Sequence, residues 1–214
     1  MSAILEKLQE IVIAGFPDQA RELATQAIES GVAPLVAIEQ ALNPGMQIVG
    51  DKYESGEYFI PDLVMSAEAM KAAMEVFEPE LIARQEKRQV LGTVVIGTVE
   101  GDIHEIGKSL VATMLAAAGF QVHDVGVDVP ASEFVKQVQE TGANVVGLSA
   151  LLTTTMRNQE VVIEALKEAG LREKVKVVIG GAPASNDWAE TIGADAYAEN
   201  ANEAVGVVKQ LLGV

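Results

Sequence analysis

From residue 91 onward, short unbroken apolar runs alternate with stretches of helical periodicity. No other feature of the chain restricts its fold as strongly. The runs "LGTVVIGTV" (91–99), "FQVHDVGV" (120–127), "NVVGLSA" (144–150) and "KVKVVIGG" (174–181) are rich in β-branched residues. A continuous apolar run of this kind is the pattern of a strand buried on both faces. Helices are expected over roughly 105–118, 131–141, 156–169, 186–192 and 201–212, with "ADAYAE" (194–199) as a weak fifth strand. Strands that alternate with helices at this spacing imply an α/β domain of flavodoxin-like (Rossmann-type) form, a five-stranded parallel sheet with helices on both faces. Such sheets bind ligands at the C-terminal ends of their strands, near the point where the strand order reverses.

The first 83 residues follow a different rule. Ile4, Leu5, Leu8, Ile11 and Val12 recur at helical spacing. Pro17 suits a first helical position and Gly31 a stop, and Pro34 opens a segment with Leu35, Ile38 and Leu42 on one face. A fourth helix is expected over 62–84, after "YESGEYFIP". Four helices with short connections imply an all-α four-helix bundle. The polar segment "RQEKRQ" (84–89) is the linker candidate, dividing a helical domain of residues 1–87 from a sheet domain of residues 88–214.

Charge and composition narrow the function. Fifteen Lys and Arg face 31 Asp and Glu, a formal net charge of −16. Such a chain repels phosphate backbones and anionic lipid, so neither nucleic acid nor a membrane is an expected partner. The chain holds no cysteine, which excludes disulfides, iron–sulfur clusters and thiolate zinc sites. The charged N-terminus lacks the core of a signal peptide, and no apolar run reaches spanning length. A soluble cytoplasmic protein is expected.

The strand ends carry the candidate chemistry. "GTVEGDIHEIGKSL" (97–110) holds His104, one of two histidines, just past the end of the first strand. Its glycines fit neither the dinucleotide fingerprint nor the phosphate loop, and Asp102 and Glu105 beside His104 weaken any phosphate site. Alone, Asp102, His104 and Gly107 also fit a surface histidine in a loop, with the glycine for packing. The third strand ends in "SALLTTTM" (149–156), where the hydroxyls also fit ordinary helix capping. The fourth ends in "GGAPAS" (180–185), where Gly180 and Gly181 also fit a tight strand exit. All three features fall at C-terminal strand ends, where they would form one wall.

Together these stretches resemble the signature of the cobalamin-binding domain family: D-x-H-x-x-G, then S-x-L, then G-G. Here 41 residues separate Gly107 from Ser149 and 28 separate Leu151 from Gly180, as in the family pattern. The helical segment ending in "GEYFIPDLVMSAEAMKAAM" is similar to the cap domain that precedes the corrinoid domain in methionine synthase and in small corrinoid proteins of methyltransferase systems. The resemblance implies cobalamin or a related corrinoid as cofactor, held by Gly101, Asp102, Ile103, His104, Glu105, Gly107, Ser149, Leu151, Thr153, Thr155, Gly180, Gly181 and Ala182. His104 would be the lower ligand of cobalt. Asp102 would fix its tautomer and Thr155 would bond the aspartate, a relay along which proton uptake would weaken the imidazole's donation. The nucleotide tail of the cofactor would run beside Gly107 and the bare backbone of Gly180, Gly181 and Ala182, with Ser149 and Thr153 bonding it. Phe59 is the leading candidate to cap the upper face of the corrin, and it also fits a bundle-core aromatic. His123 matches nothing in the pattern.

With a cap and a corrinoid module but no room for a catalytic barrel, the chain is expected to carry a methyl group on cobalt. It would not turn over alone. Its expected partners are a substrate-specific methyltransferase, a second methyltransferase acting on a thiol or tetrahydrofolate, and a reductive activation protein. A cobalamin-dependent sensor module and a mutase subunit are the alternatives. No basic helix-turn-helix precedes the bundle, which disfavours the first, and the helical cap disfavours the second.

Overall fold

A computed structural model describes residues 2–84 and 90–214 of the chain, which form two compact units dividing after residue 89. The proposed linker, apart from Arg84, and the expected boundary at residue 87 lie outside the described residues.

The first unit is helical. Helix α1 spans Ala3–Ala14 and ends where Gly15 turns left-handed at φ +73°. Helix α2 spans Pro17–Glu29. A third helical run consists of α3 (Pro34–Ala37), a π-helical turn (Ile38–Leu42) and α4 (Asn43–Glu54). Pro44 explains the π turn: it has no N–H to give to Gln40, and its ring would crowd that carbonyl in a regular helix. Helix α5 spans Ile60–Ala83. These four runs match the bundle expected from periodicity. Helices α2 and α5 pack against each other, and Ala20, Ala24 and Ala27 on the one and Ala69 and Ala73 on the other are fully buried. Tyr58 Oη and Ser66 Oγ each donate to the Ile13 carbonyl at 3.1 Å, joining the start of α5 to the end of α1. Phe59 is not a core aromatic. It precedes α5 and is 66% exposed.

The second unit is the α/β domain. Strands β1 (Thr93–Thr98), β2 (Gln121–Asp124), β3 (Val145–Ser149), β4 (Lys176–Gly180) and β5 (Ala196–Tyr197) form one parallel sheet in the order β2-β1-β3-β4-β5. The edge strands β2 and β5 are shorter than the runs expected for them, because each has a pairing partner on one side only. Helices α7 (Ala131–Thr141), α8 (Arg157–Glu168) and α9 (Asn186–Ile192) cover one face. Helices α6 (Ile106–Ala117) and α10 (Ala201–Leu212) cover the other. Val95, Val146, Leu148, Val177 and Ile179 join Phe134, Val162 and Leu166 in the core under α7–α9. Burial of this apolar area is the dominant stabilising contribution. Among the described residues, no helix is long and apolar enough to cross a membrane.

The order reverses between β1 and β3, and Thr98, Ser149 and Gly180 lie in one register row across β1, β3 and β4. The three sequence motifs therefore begin side by side at the switch point, where such sheets bind ligands.

Candidate functional site

Asp102 and His104 occupy the loop between β1 and α6. Asp102 is completely buried, and its carboxylate accepts four hydrogen bonds. Oδ1 takes the His104 backbone N–H at 3.1 Å and faces His104 Nδ1 at 2.6 Å. Oδ2 takes the Leu151 N–H at 2.7 Å and the Thr155 hydroxyl at 2.6 Å. Burial pushes the carboxyl toward the neutral form. The donations from Thr155, His104 and the Leu151 backbone outweigh it and hold Asp102 well below the usual carboxylate range. Asp102 is thus an anion that can only accept, which puts the imidazole proton on Nδ1.

That proton placement leaves Nε2 with its lone pair. The His104 side chain is 47% exposed, and no group among the described residues bonds Nε2. The Thr98 hydroxyl, buried at the end of β1, donates to the His104 carbonyl at 2.9 Å. Thr155 lies in the turn before α8, and its hydroxyl does not cap that helix. Its Oγ1 also lies 3.0 Å from the Leu152 carbonyl, but one proton serves one bond, and the shorter contact to the charged oxygen is the stronger.

Around His104 stand large apolar side chains open to solvent: Ile103 at 74% exposure, Ile106 at 72%, and Leu151 and Leu152. Below them, on the α6–α10 face of the sheet, the strand ends are less covered than the strand centres. Gly147 and Ser149, in the central strand, and Gly180 beside them are only partly buried, while Val146, Leu148 and Ala150 on the opposite face are fully buried. A Cβ added to Gly107 would meet nothing within 4 Å. Gly181 has a reason of its own: at φ +114°, a Cβ would lie 1.8 Å from the Ala150 carbonyl oxygen, so the two strand exits can touch only through a glycine.

The remaining expected residues sit around this centre. Gly101, Glu105 and Ala182 are exposed at the loop edges. Thr153 is exposed in the turn before α8, with no hydrogen bond among the described residues. His123 is half-buried on the edge strand β2, away from these contacts. Other participants carry no motif. Lys108, buried, pairs with Asp124 at the end of β2. Gln159, completely buried on α8, donates to the Leu148 and Gly180 carbonyls at 3.0 Å each and accepts from Trp188 Nε1 at 3.0 Å. It ties together the ends of β3 and β4 beneath the glycines.

These features fit a corrinoid. Among the described residues, no three His, Cys, Asp or Glu side chains cluster to hold a bare metal ion. His104 offers a single, tautomer-locked nitrogen, which suits a metal arriving with its own macrocyclic ligands. The isoleucines and leucines around it suit the apolar face of such a ring. The partly exposed strand ends at Ser149 and Gly180, with open space beside Gly107, suit a tail lying against the sheet.

Comparison with known proteins agrees with this geometry. Residues 92–206 match a B12 binding domain model, and residues 4–78 match a second model, also described as a B12 binding domain. The chain is 50% identical to dimethylamine corrinoid protein 1 of Methanosarcina mazei, over 98% of this chain and 96% of that protein. It is 49% identical to the trimethylamine corrinoid protein of Methanosarcina barkeri, over 99% and 97%. Among solved structures, it resembles a chain of the methanol:cobalamin methyltransferase complex of Methanosarcina barkeri, with a TM-score of 0.89 and 32% identity over 98% of this chain and 80% of that one. It also resembles a cobalamin-binding protein of Desulfitobacterium hafniense, with a TM-score of 0.75 and 33% identity over 96% and 97%.

Proposed function

The chain belongs to the B12-binding domain family, and on that premise we propose that it carries a methyl group on its corrinoid within a methylamine methyltransferase system. When bound, the corrinoid supplies a cobalt centre that takes up a methyl group and gives it up again. The chain's own residues hold and tune that centre. His104 would hold the cobalt through Nε2. Asp102 keeps the proton on Nδ1 and sharpens the imidazole as a donor, and Thr155 and the Leu151 N–H keep Asp102 anionic. Ser149, Gly180 and Gly107 would receive the tail.

The observation that carries this reading is the buried Asp102 locked to His104 while Nε2 stays open. The near full-length identity to dimethylamine and trimethylamine corrinoid proteins supports a methylamine as the methyl source. The partners would be a methylamine-specific methyltransferase, a second methyltransferase that passes the group to a thiol or tetrahydrofolate, and a reductive activation protein.

The test is reconstitution. The reduced holoprotein is mixed with mono-, di- or trimethylamine, with and without a methylamine methyltransferase, and the corrin spectrum is followed. Methylation should require the methyltransferase and a methylamine. Turnover by the isolated chain, or no methylation with any methylamine and its enzyme, overturns the reading.

A further inference from the structure

Among the described residues, Asp128 is the one non-glycine residue with a left-handed backbone, at φ +53°. It lies in the loop between β2 and α7 and belongs to none of the three motifs. Left-handed backbone costs a side-chain-bearing residue about 1–2 kcal/mol, and aspartate is among the types that tolerate it best. Strain of this sort persists where neighbours over-determine it. Here the next residue supplies the anchor: Val129 is buried, pairs with Val99, and donates its N–H to the Thr98 carbonyl at 3.0 Å.

Held there, Asp128 reaches across to the loop of His104 twice. Its carboxylate Oδ1 accepts the Gly101 N–H at 2.6 Å. Its own N–H donates to the Asp102 carbonyl at 2.9 Å. The peptide planes before Gly101 and after Asp102 are therefore both gripped by one residue, and the direction of the Asp102 side chain between them is set. Gly101 is itself left-handed at φ +81°, a conformation that glycine adopts without cost and that by itself would leave the loop free to relax. Asp102 has little tolerance for such relaxation. Its buried carboxylate meets four donors, and a shift of about 1 Å would strand a charge away from water and release the imidazole.

We propose that Asp128 is a positioning residue for the cofactor ligand: through the Gly101–Asp102 backbone it aims the Asp102 carboxylate, and so fixes the tautomer and orientation of His104. The proposal deepens the corrinoid reading and rests on it only for the identity of the ligand that His104 meets.

Three variants test it. D128N keeps an acceptor oxygen and tolerates the left-handed backbone, D128G suits the backbone but removes the carboxylate, and D128A removes it while keeping the strain. The first readout needs no cofactor. In ¹⁵N-labelled apoprotein, the His104 Nδ1 proton should give a protected downfield resonance in wild type and D128N, broadened or lost in D128G and D128A. The second readout is cobalamin affinity, expected to fall about tenfold in D128G and to recover in D128N, in line with other changes behind a metal ligand. Thermal unfolding of D128G should match wild type within a few degrees. Wild-type imidazole signal and wild-type affinity in D128G overturn the proposal. So does unfolding of D128G, which would make Asp128 a residue of the fold and not of the ligand. If instead the imidazole readout behaves as expected while wild type binds no cobalamin, the positioning stands and the corrinoid reading falls.

Discussion

His104 Nδ1 lies 2.6 Å from Oδ1 of the fully buried Asp102, so the exposed imidazole is governed by a carboxylate that solvent does not reach. The arrangement separates two tasks. One ring nitrogen is fixed inside the protein, and the other stays available at its surface.

Removing the imidazole should separate binding from folding. His104→Ala takes a half-exposed loop side chain away from no apolar core, so the unfolding midpoint should stay within a few degrees of wild type. The holoprotein should lose the nitrogen coupling from histidine in the electron paramagnetic resonance spectrum of its Co(II) state, and cobalamin should dissociate more readily. Retention of a histidine nitrogen coupling in the variant would show that another residue is the ligand.

Changes behind His104 should be graded. Asp102→Asn keeps a side chain that can accept from Nδ1 but carries no charge, so imidazole donation weakens, by an amount that typically changes metal affinity or activity about 10–100-fold. The Co(II)/Co(I) midpoint should move in the positive direction, because a weaker axial donor destabilises Co(II) relative to four-coordinate Co(I). Thr155→Ala removes one of four bonds to Asp102 and should move it less. Spectroelectrochemical titration of both variants beside wild type checks the order, and a larger shift for Thr155→Ala reverses it.

Acid stability should report the same carboxylate. Unfolded, Asp102 titrates at its ordinary value of 3.8, and folded it titrates well below that. Where the unfolded state binds more protons, stability rises with pH, so the contribution of Asp102 is fully present above about pH 5 and drains away as pH falls toward the folded value. Urea unfolding at pH 7, 4 and 3 should show the gap between wild type and Asp102→Asn narrowing as pH falls. A constant gap would mean that Asp102 is not ionised in the fold.

Two glycines should answer differently to alanine. Gly181→Ala forces a Cβ into the Ala150 carbonyl on left-handed backbone, and a loss of at least about 1–3 kcal/mol of stability is expected in chemical denaturation. Gly107→Ala meets no neighbour within 4 Å and sits in the first turn of α6, so stability should be unchanged or slightly raised. Its effect should appear in binding: weaker affinity for cobalamin, with cobinamide, which has no nucleotide tail, bound as by wild type. Equal losses for both corrinoids would place the tail elsewhere.

Gln159→Leu should expose a structural role beneath the site. It leaves the Trp188 N–H and the Leu148 carbonyl without this partner, at about 1–3 kcal/mol for each buried polar group left unsatisfied. Adding Trp188→Phe should restore part of the loss, since the stranded donor is removed with it. A double-mutant cycle from chemical denaturation measures the coupling, and strictly additive losses would deny it.

Much of this molecule is legible in its residues taken in order. The apolar runs at 91–99, 144–150 and 174–181 specify central strands because a run without polar alternation has no face to give to water. The period of residues 3–83 specifies helices, and Pro17 and Pro34 mark helix starts because their missing N–H groups cost nothing there. His104, Asp102 and Thr155 carry side-chain chemistry, and the paired glycines lack side chains altogether, and both properties are local and can be named from the sequence.

What tertiary structure alone decided is how those groups are held. The Leu151 N–H, the Thr98 hydroxyl, the grip of Asp128 and the strut of Gln159 join residues up to 49 positions apart or use backbone atoms that every residue has, so no residue type announces them. They arise when parallel register sets Thr98, Ser149 and Gly180 in one row. The same register leaves Ser149 and Gly180 partly exposed on one face of the sheet while Leu148 and Ile179 are sealed against the other. Exposure decided Phe59 as well: aromatic character fits a core and a cap equally, and only packing puts the ring outside. Sequence specifies which groups can do chemistry; their charge state, direction and access follow from burial and from hydrogen bonds that exist only once distant strand ends meet.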